Sequence, residues 1–256
     1  VNYWTEKVVL VTGASSGIGR ELSVELAKRG AILGLAARRV DLLEETVREI
    51  ETNGGKAVAL PVDVTDAAAV RTIADKLRSE FGRIDVMIAN AGIGTASHAV
   101  KLQPDHVANV ININLLGAVN SVAAVLPEMA ERNQGQLVAI SSLSAYRGLP
   151  KSAAYCSSKA GLSAFFESVR IDLRNSDVKV TIIHPGFIRT ALTAGREKKM
   201  PYLMDVDVAV KKIVTAIERR RVSYAFPWQL ASVVRLGMIM PNFMYDWIAA
   251  RNSFRE

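Results

Sequence analysis

The stretch Val11-Thr12-Gly13-Ala14-Ser15-Ser16-Gly17-Ile18-Gly19 constrains the fold more than any other part of the chain. The apolar run Val8 to Val11 leads into it and reads as a buried parallel strand. Glu21 to Lys28 follows with helical spacing, Leu22 and Leu26 sharing one side. A strand, a tight glycine turn and a helix N-terminus together make a site for a dinucleotide pyrophosphate. Gly13 permits the sharp turn, Gly17 lets the backbone approach the phosphates, and Gly19 lets the helix pack close to the strand. The spacing is G-x-x-x-G-x-G rather than G-x-G-x-x-G. Alone, such a triplet is equally compatible with an ordinary strand–helix turn.

The alternation continues for two hundred residues. Short apolar runs predict strands at Lys7–Thr12, Ala31–Ala37, Lys56–Val62, Ile84–Ala89, Gln136–Ser141 and Val178–His184. Helical stretches are expected near Gly17–Arg29, Asp41–Asn53, Ala67–Phe81, Pro104–Arg132 and Ser152–Asn175. Asn53-Gly54-Gly55 supplies a glycine stop, and Thr65-Asp66 supplies a cap. This βαβ repetition predicts an α/β fold with one Rossmann-type doubly wound parallel sheet, helices covering both faces. No linker, repeat or low-complexity segment interrupts it, so a single domain over residues 1–256 is expected.

A second constellation specifies chemistry. Tyr155 and Lys159 stand four apart in Tyr-Cys-Ser-Ser-Lys, with Ser142 thirteen residues upstream. Asn90-Ala91-Gly92 ends another apolar strand, and Asn114 lies in Asn-Leu-Leu-Gly. Pro185-Gly186, Ile188 and Thr190 follow a late strand. Glycine turn and constellation together, over about residues 5 to 220 and in the same order, resemble the short-chain dehydrogenase/reductase family.

Carbonyl reduction needs a hydride and a proton for the developing oxyanion. An unperturbed tyrosine, with a pKa of ~10, serves better when a neighbouring ammonium favours its phenolate. Residues four apart on a helix share a face, so Tyr155 and Lys159 can meet. The resemblance implies that Tyr155 is the acid/base and that Lys159 holds the nicotinamide ribose and lowers the tyrosine's pKa. It further implies that Ser142 binds the substrate carbonyl and that Asn114 anchors a water relay to Lys159. Cys156 neighbours Tyr155, but adjacent helix positions diverge by about 100°, so it reads as a packed thiol.

A dinucleotide site selective for NAD usually places an acid about 20 residues beyond the glycines. Ala31 to Val40 contains none; Ala37 stands near that position, followed by Arg38-Arg39. Guanidinium groups suit a 2′-phosphate, which predicts NADP(H). Ser15 and Ser16 add hydroxyls for the phosphates. By resemblance, Asp63 and Val64 match an adenine contact, Asn90, Ala91 and Gly92 line the cofactor cleft, and Pro185, Gly186, Ile188 and Thr190 match the nicotinamide-amide segment.

The expected activity is NADPH-dependent reduction of a lipophilic ketone, reversible as oxidation of a secondary alcohol. A 3-oxoacyl or long-chain sphingoid-type ketone is the alternative substrate, and a non-catalytic dinucleotide sensor or scaffold the alternative class. The variable flap at about 191–204 combines polar Arg196-Glu197-Lys198-Lys199 with apolar Met200 to Met204, hinged at Gly195. Leu143, Leu149 and Phe187 add apolar walls.

The extension at about 227–256 departs from the alternation. After a seventh strand at Val222–Phe226, Gln229–Met240 and Asn242–Ala250 read as two amphipathic helices separated by Pro241. Their Trp, Phe and Met residues suit core or subunit packing, a lipophilic substrate mouth, or peripheral membrane contact, with Arg235, Arg251 and Arg255 placed for headgroups. No uninterrupted apolar run reaches the ~18 residues of a membrane span, and no signal peptide is evident behind the non-Met start. The +7 net charge lacks the basic stripe with aromatics that nucleic acid requires. One cysteine excludes an internal disulfide framework, and His98, His106 and His184 show no metal-ligand spacing, so no metal is expected. These features suggest a cytoplasmic protein, and the resemblance implies a homodimer or homotetramer through Pro104–Arg132 and Ser152–Asn175.

Overall fold

A computed structural model of the chain describes residues 2–94, 96–195 and 200–251. The expected polar stretch Arg196 to Lys199, and Phe254 and Arg255 of the extension, lie outside these residues.

Seven strands form one parallel sheet in the order β3-β2-β1-β4-β5-β6-β7. They are β1 (Val8–Thr12), β2 (Ile32–Ala37), β3 (Lys56–Pro61), β4 (Val86–Ala89), β5 (Gly135–Ile140), β6 (Val178–Pro185) and β7 (Ser223–Phe226). Each crossover carries a helix: α1 (Gly17–Lys28), α2 (Val40–Thr52), α3 (Ala67–Phe81), α4 (Pro104–Ile111) with α5 (Gly117–Glu131), α6 (Ala153–Asp172) and α7 (Val206–Glu218). α8 (Trp228–Ile239) and α9 (Asn242–Arg251) follow the last strand.

Successive side chains on a strand point to opposite faces, which explains why apolar runs without alternation serve here. Val9 and Val11 join Leu33, Leu35 and residues of α1, α2 and α7 in one core layer. Val8 and Leu10 join Leu137, Leu77 and Phe166 in the layer beneath α3, α5 and α6. Asp66 caps α3, accepting from Ala68 N and Ala69 N at 3.0 Å. Gly54 closes α2 at φ +78°. At β1 the winding reverses, since β1 pairs with β2 on one side and β4 on the other. The C-terminal ends of those strands open the crevice where ligands of such sheets bind.

Two expected elements take a more particular form. The segment 104–132 is helical as expected, but a π-helical turn at Asn112–Leu116 joins α4 to α5, with Gly117 N donating to Asn112 O. The extra residue turns Asn114 inward, where it is fully buried. Pro104–Glu131 is apolar and long enough to cross a membrane, although half of that window is buried within the fold. The two terminal helices, moreover, do not lay a continuous apolar face on the domain. α8 buries only Ala231 and Gly237, and α9 buries no residue. Trp228, Ile239, Phe243 and Trp247 are 61–81 % exposed, which removes them from the core.

Candidate active site

Glycine conformations build the turn after β1. Gly13 has φ +68° and Gly17 has φ +55°, both in the left-handed region that side chains disfavour. A Cβ at Gly19 would stand 2.4 Å from Gly13 O and from Asn90 Nδ2, so no larger residue fits there. A Cβ at Gly17 would meet only Thr190, at 3.4 Å, which brings the segment after β6 against the turn. Ser16 precedes α1 without capping it through its side chain, leaving the first amides of that helix available to an anion. Ile18 packs against the core layer above.

Asn90 braces this turn rather than simply lining the cleft. Its Nδ2 donates to Thr12 O at 2.9 Å and to Gly13 O at 3.3 Å. Thr12, not among the predicted site residues, completes the brace, its Oγ1 accepting from Asn90 N and Ala91 N at 3.1 and 3.2 Å. A threonine ending a strand just before a glycine turn was the available signal.

At the end of β2, Arg39 reaches back over the turn. Its Nη2 donates to Ser15 Oγ at 3.0 Å and Ser16 Oγ at 2.7 Å. Arg38 instead approaches Asp63, 3.6 Å away. Thr65 N and its hydroxyl both donate to Asp63 Oδ1, and together with Arg38 they hold its carboxyl below the usual range. Val64 is buried, its side chain limiting Gly117 on α5 and its carbonyl accepting from Asn120.

The predicted catalytic residues lie on and beside β5 and α6, with Asn114 tied to α6 through Ser158. Lys159 is 4 % exposed, and its Nζ donates to Ile140 O at 2.8 Å. Burial pushes its pKa down to about 8. The same Nζ lies 6.0 Å from the centre of the Tyr155 ring. A Cβ on exposed Gly92 would stand 3.2 Å from Asn114 Oδ1 and 3.4 Å from Lys159 Nζ, so Gly92 lies close against both buried groups.

Asn114 pins three segments together. Its Oδ1 accepts from Ile93 N, while Nδ2 donates to Ile93 O and to Ser158 Oγ, all within 2.8–2.9 Å. Both Nδ2 protons are therefore committed, so a solvent relay through this residue would use the remaining Oδ1 lone pair or the main chain. Ser142 is buried at the end of β5, where its Oγ accepts from Ser144 N at 3.1 Å. Behind it, His184 Nδ1 meets Ser142 O at 3.3 Å, and the His184 ring stacks near Tyr146 at 4.8 Å. Burial lowers the His184 pKa, keeping the imidazole neutral. Cys156 is buried, as a packed thiol requires.

The third wall is Pro185 to Thr190. Gly186 N donates to Phe226 O at 2.7 Å, fixing the chain as it leaves the sheet. Ile188 is buried and pairs with Met204 of the flap. Thr190 N donates to Thr193 Oγ1 at 3.0 Å. No cluster of metal-ligating side chains occurs among the described residues.

These residues fit a nicotinamide dinucleotide. A glycine turn at a helix N-terminus, open at Gly17, suits the pyrophosphate, and a buried ammonium with two further donors suits ribose hydroxyls.

Known proteins share this arrangement. The family model for short chain dehydrogenases matches residues 7–201. An uncharacterized oxidoreductase of Myxococcus xanthus is 42% identical over 245 residues, covering 96% of this chain and 97% of its own. An 11-beta-hydroxysteroid dehydrogenase 1A of Arabidopsis thaliana is 42% identical over 193 residues, 74% of this chain and 54% of the longer relative. A solved structure from Sinorhizobium meliloti 1021, named for the short-chain alcohol dehydrogenases, superposes with a TM-score of 0.75 at 31% identity, covering 82% of this chain and 90% of that one. Members of this family act on small molecules at CH–OH groups and use NAD(P)(H). With the glycine turn, the buried lysine and these relatives in agreement, the chain belongs to the short-chain dehydrogenase family of oxidoreductases.

Proposed function

We propose that this protein reduces lipophilic ketones with NADPH and, in reverse, oxidises the corresponding secondary alcohols with NADP+. The observation that carries this reading is Lys159, buried with its Nζ 6.0 Å from the centre of the Tyr155 ring and its pKa lowered to about 8. Bound NADPH would supply the hydride to the carbonyl carbon. Tyr155 Oη would give its proton to the carbonyl oxygen, and the Lys159 ammonium would stabilise the resulting phenolate. Ser142 Oγ would donate to the same oxygen and fix its direction. Gly13, Gly17, Gly19, Ser15 and Ser16 would hold the phosphates.

Preference for the 2′-phosphate rests on chemistry at the end of β2. No acid stands there to hydrogen-bond a free ribose hydroxyl, and the Arg39 guanidinium is already held over Ser15 and Ser16. A lipophilic substrate is supported by the apolar side chains Leu143 and Leu149, which flank Ser142 and Tyr155 in the sequence. The name of the Arabidopsis relative points the same way. We also propose peripheral contact with anionic lipid through exposed Trp228, Phe243 and Trp247, where Arg251 lies 3.7 Å over the Trp247 ring.

The test is a panel of ketones from a compact diketone to long-chain and polycyclic compounds, followed by cofactor absorbance with NADPH and with NADH. NADPH should give at least tenfold higher kcat/KM, with the apolar ketones favoured. Equal use of NADH overturns the assignment of Arg39, and no oxidation of either cofactor overturns the activity.

A further inference from the structure

Pro241 determines how α8 ends. The residue before a proline is driven to extended backbone, and Met240 sits at φ −73°, ψ 136°. A left-handed glycine cap is therefore unavailable, and the last carbonyls of α8 need other donors. Arg147 supplies them from another part of the chain. Its guanidinium donates to Gly237 O and, at 2.9 Å, to Met240 O, and its Nη2 donates to Asn242 Oδ1 at 2.7 Å. A cation at a helix C-terminus also complements the helix dipole.

Tyr245 of α9 closes the clasp. Its ring lies 3.8 Å from the Arg147 guanidinium carbon, and its hydroxyl donates to Gly148 O at 2.5 Å. The ring packs against α8 at Gly237, where a Cβ would lie in ordinary van der Waals contact at 3.5 Å. The clasp grips the loop between Ser142 and Tyr155. At its other end α8 touches the opposite side of the cleft, where a Cβ on Gly186 would be 3.0 Å from Leu230. The hairpin thus spans from the nicotinamide-side segment to the catalytic loop.

We propose that Arg147 is a positioning residue that docks the α8–α9 hairpin as the apolar wall of the substrate cleft, so that extended apolar ketones are selected by a wall that Arg147 holds in place. The selection of ketones rests on the activity proposed above; the docking does not. Removing the guanidinium frees the C-terminal carbonyls of α8 and the Tyr245 ring together, and the wall recedes. Substrates that reach beyond the reacting carbonyl lose contacts, while compact ones lose few.

The test compares wild type with Arg147→Met, Arg147→Lys and Tyr245→Phe. Steady-state kinetics use 2,3-butanedione and a polycyclic ketone, and ketone binding is read separately from quenching of Trp228 and Trp247. For Arg147→Met the expected result is a rise of about tenfold in KM for the polycyclic ketone, at nearly constant kcat, with less than threefold change for the diketone. Arg147→Lys restores part of the affinity, and Tyr245→Phe falls between the two. NADPH affinity close to wild type shows that each variant is folded. Equal losses on both ketones, or no loss on either, overturn the proposal. If wild type turns over neither ketone, the proposed activity fails. Arg147-dependent quenching by the polycyclic ketone then upholds the wall, and its absence refutes the wall as well.

Discussion

Lys159 carries an electrostatic cost that the fold accepts for a purpose. Full burial lowers its pKa from 10.5 to about 8, which corresponds to about 3 kcal/mol of disfavoured charge at neutral pH. The unfolded chain binds this proton more tightly, so the folded state gains stability as pH rises from about 8 toward 10.5 and loses it again on return. Denaturant unfolding of wild type against Lys159→Met, without cofactor, should therefore show wild type gaining on the variant by up to about 3 kcal/mol across that interval. A constant difference from pH 7 to 10.5 would show that the lysine has the same pKa folded and unfolded, and that burial does not lower it. The four-residue spacing predicted that this lysine and its tyrosine share a helix face, as they do, while their roles came from the family resemblance. Spacing could not disclose Arg147, whose partners Gly237, Met240 and Asn242 lie some ninety residues further along the chain. Nor could it show that Asn114 spends both amide protons on Ile93 and Ser158.

Among elements, strands and their crossover helices were legible almost throughout, since short apolar runs between capped helical stretches leave few other readings. The π-helical turn at Asn112–Leu116 was not, because apolar spacing continues through it and asparagine breaks no helix by itself. The terminal helices left several readings open, because composition records how apolar a helix is, but not whether anything covers it. The glycine turn invites a sharper element-scale test. Gly19→Ala drives a methyl into Gly13 O and the Asn90 brace, and should weaken NADPH binding at least tenfold with a loss of about 1–3 kcal/mol in stability. Gly17→Ala meets only Thr190 and pays mainly for its φ of +55°, so its stability loss should be the smaller of the two. Fluorescence titration and urea unfolding of both variants check the order.

At the scale of the whole molecule, the sheet reverses its winding at β1, and everything chemical gathers at the strand ends on one side of it. The core explains why the long apolar α4–α5 segment folds inward: Val122, Val125 and Met129 are buried under the sheet. Phe166 is likewise spent in that core, while Ile171 stays half exposed on α6. Apolar area left on α6 and on the terminal hairpin favours self-association, and light scattering at micromolar concentration should give a dimer or tetramer. A monomer there would contradict it.

Tyr155→Phe tests the central claim most directly, because it deletes one oxygen and keeps the ring. NADPH fluorescence titration and single-turnover reduction of an apolar ketone, run on the same preparation, separate binding from chemistry. The variant should bind NADPH within about threefold of wild type and reduce the ketone about 10³-fold more slowly. Reduction within tenfold of the wild-type rate would contradict the assignment of Tyr155 as the proton donor.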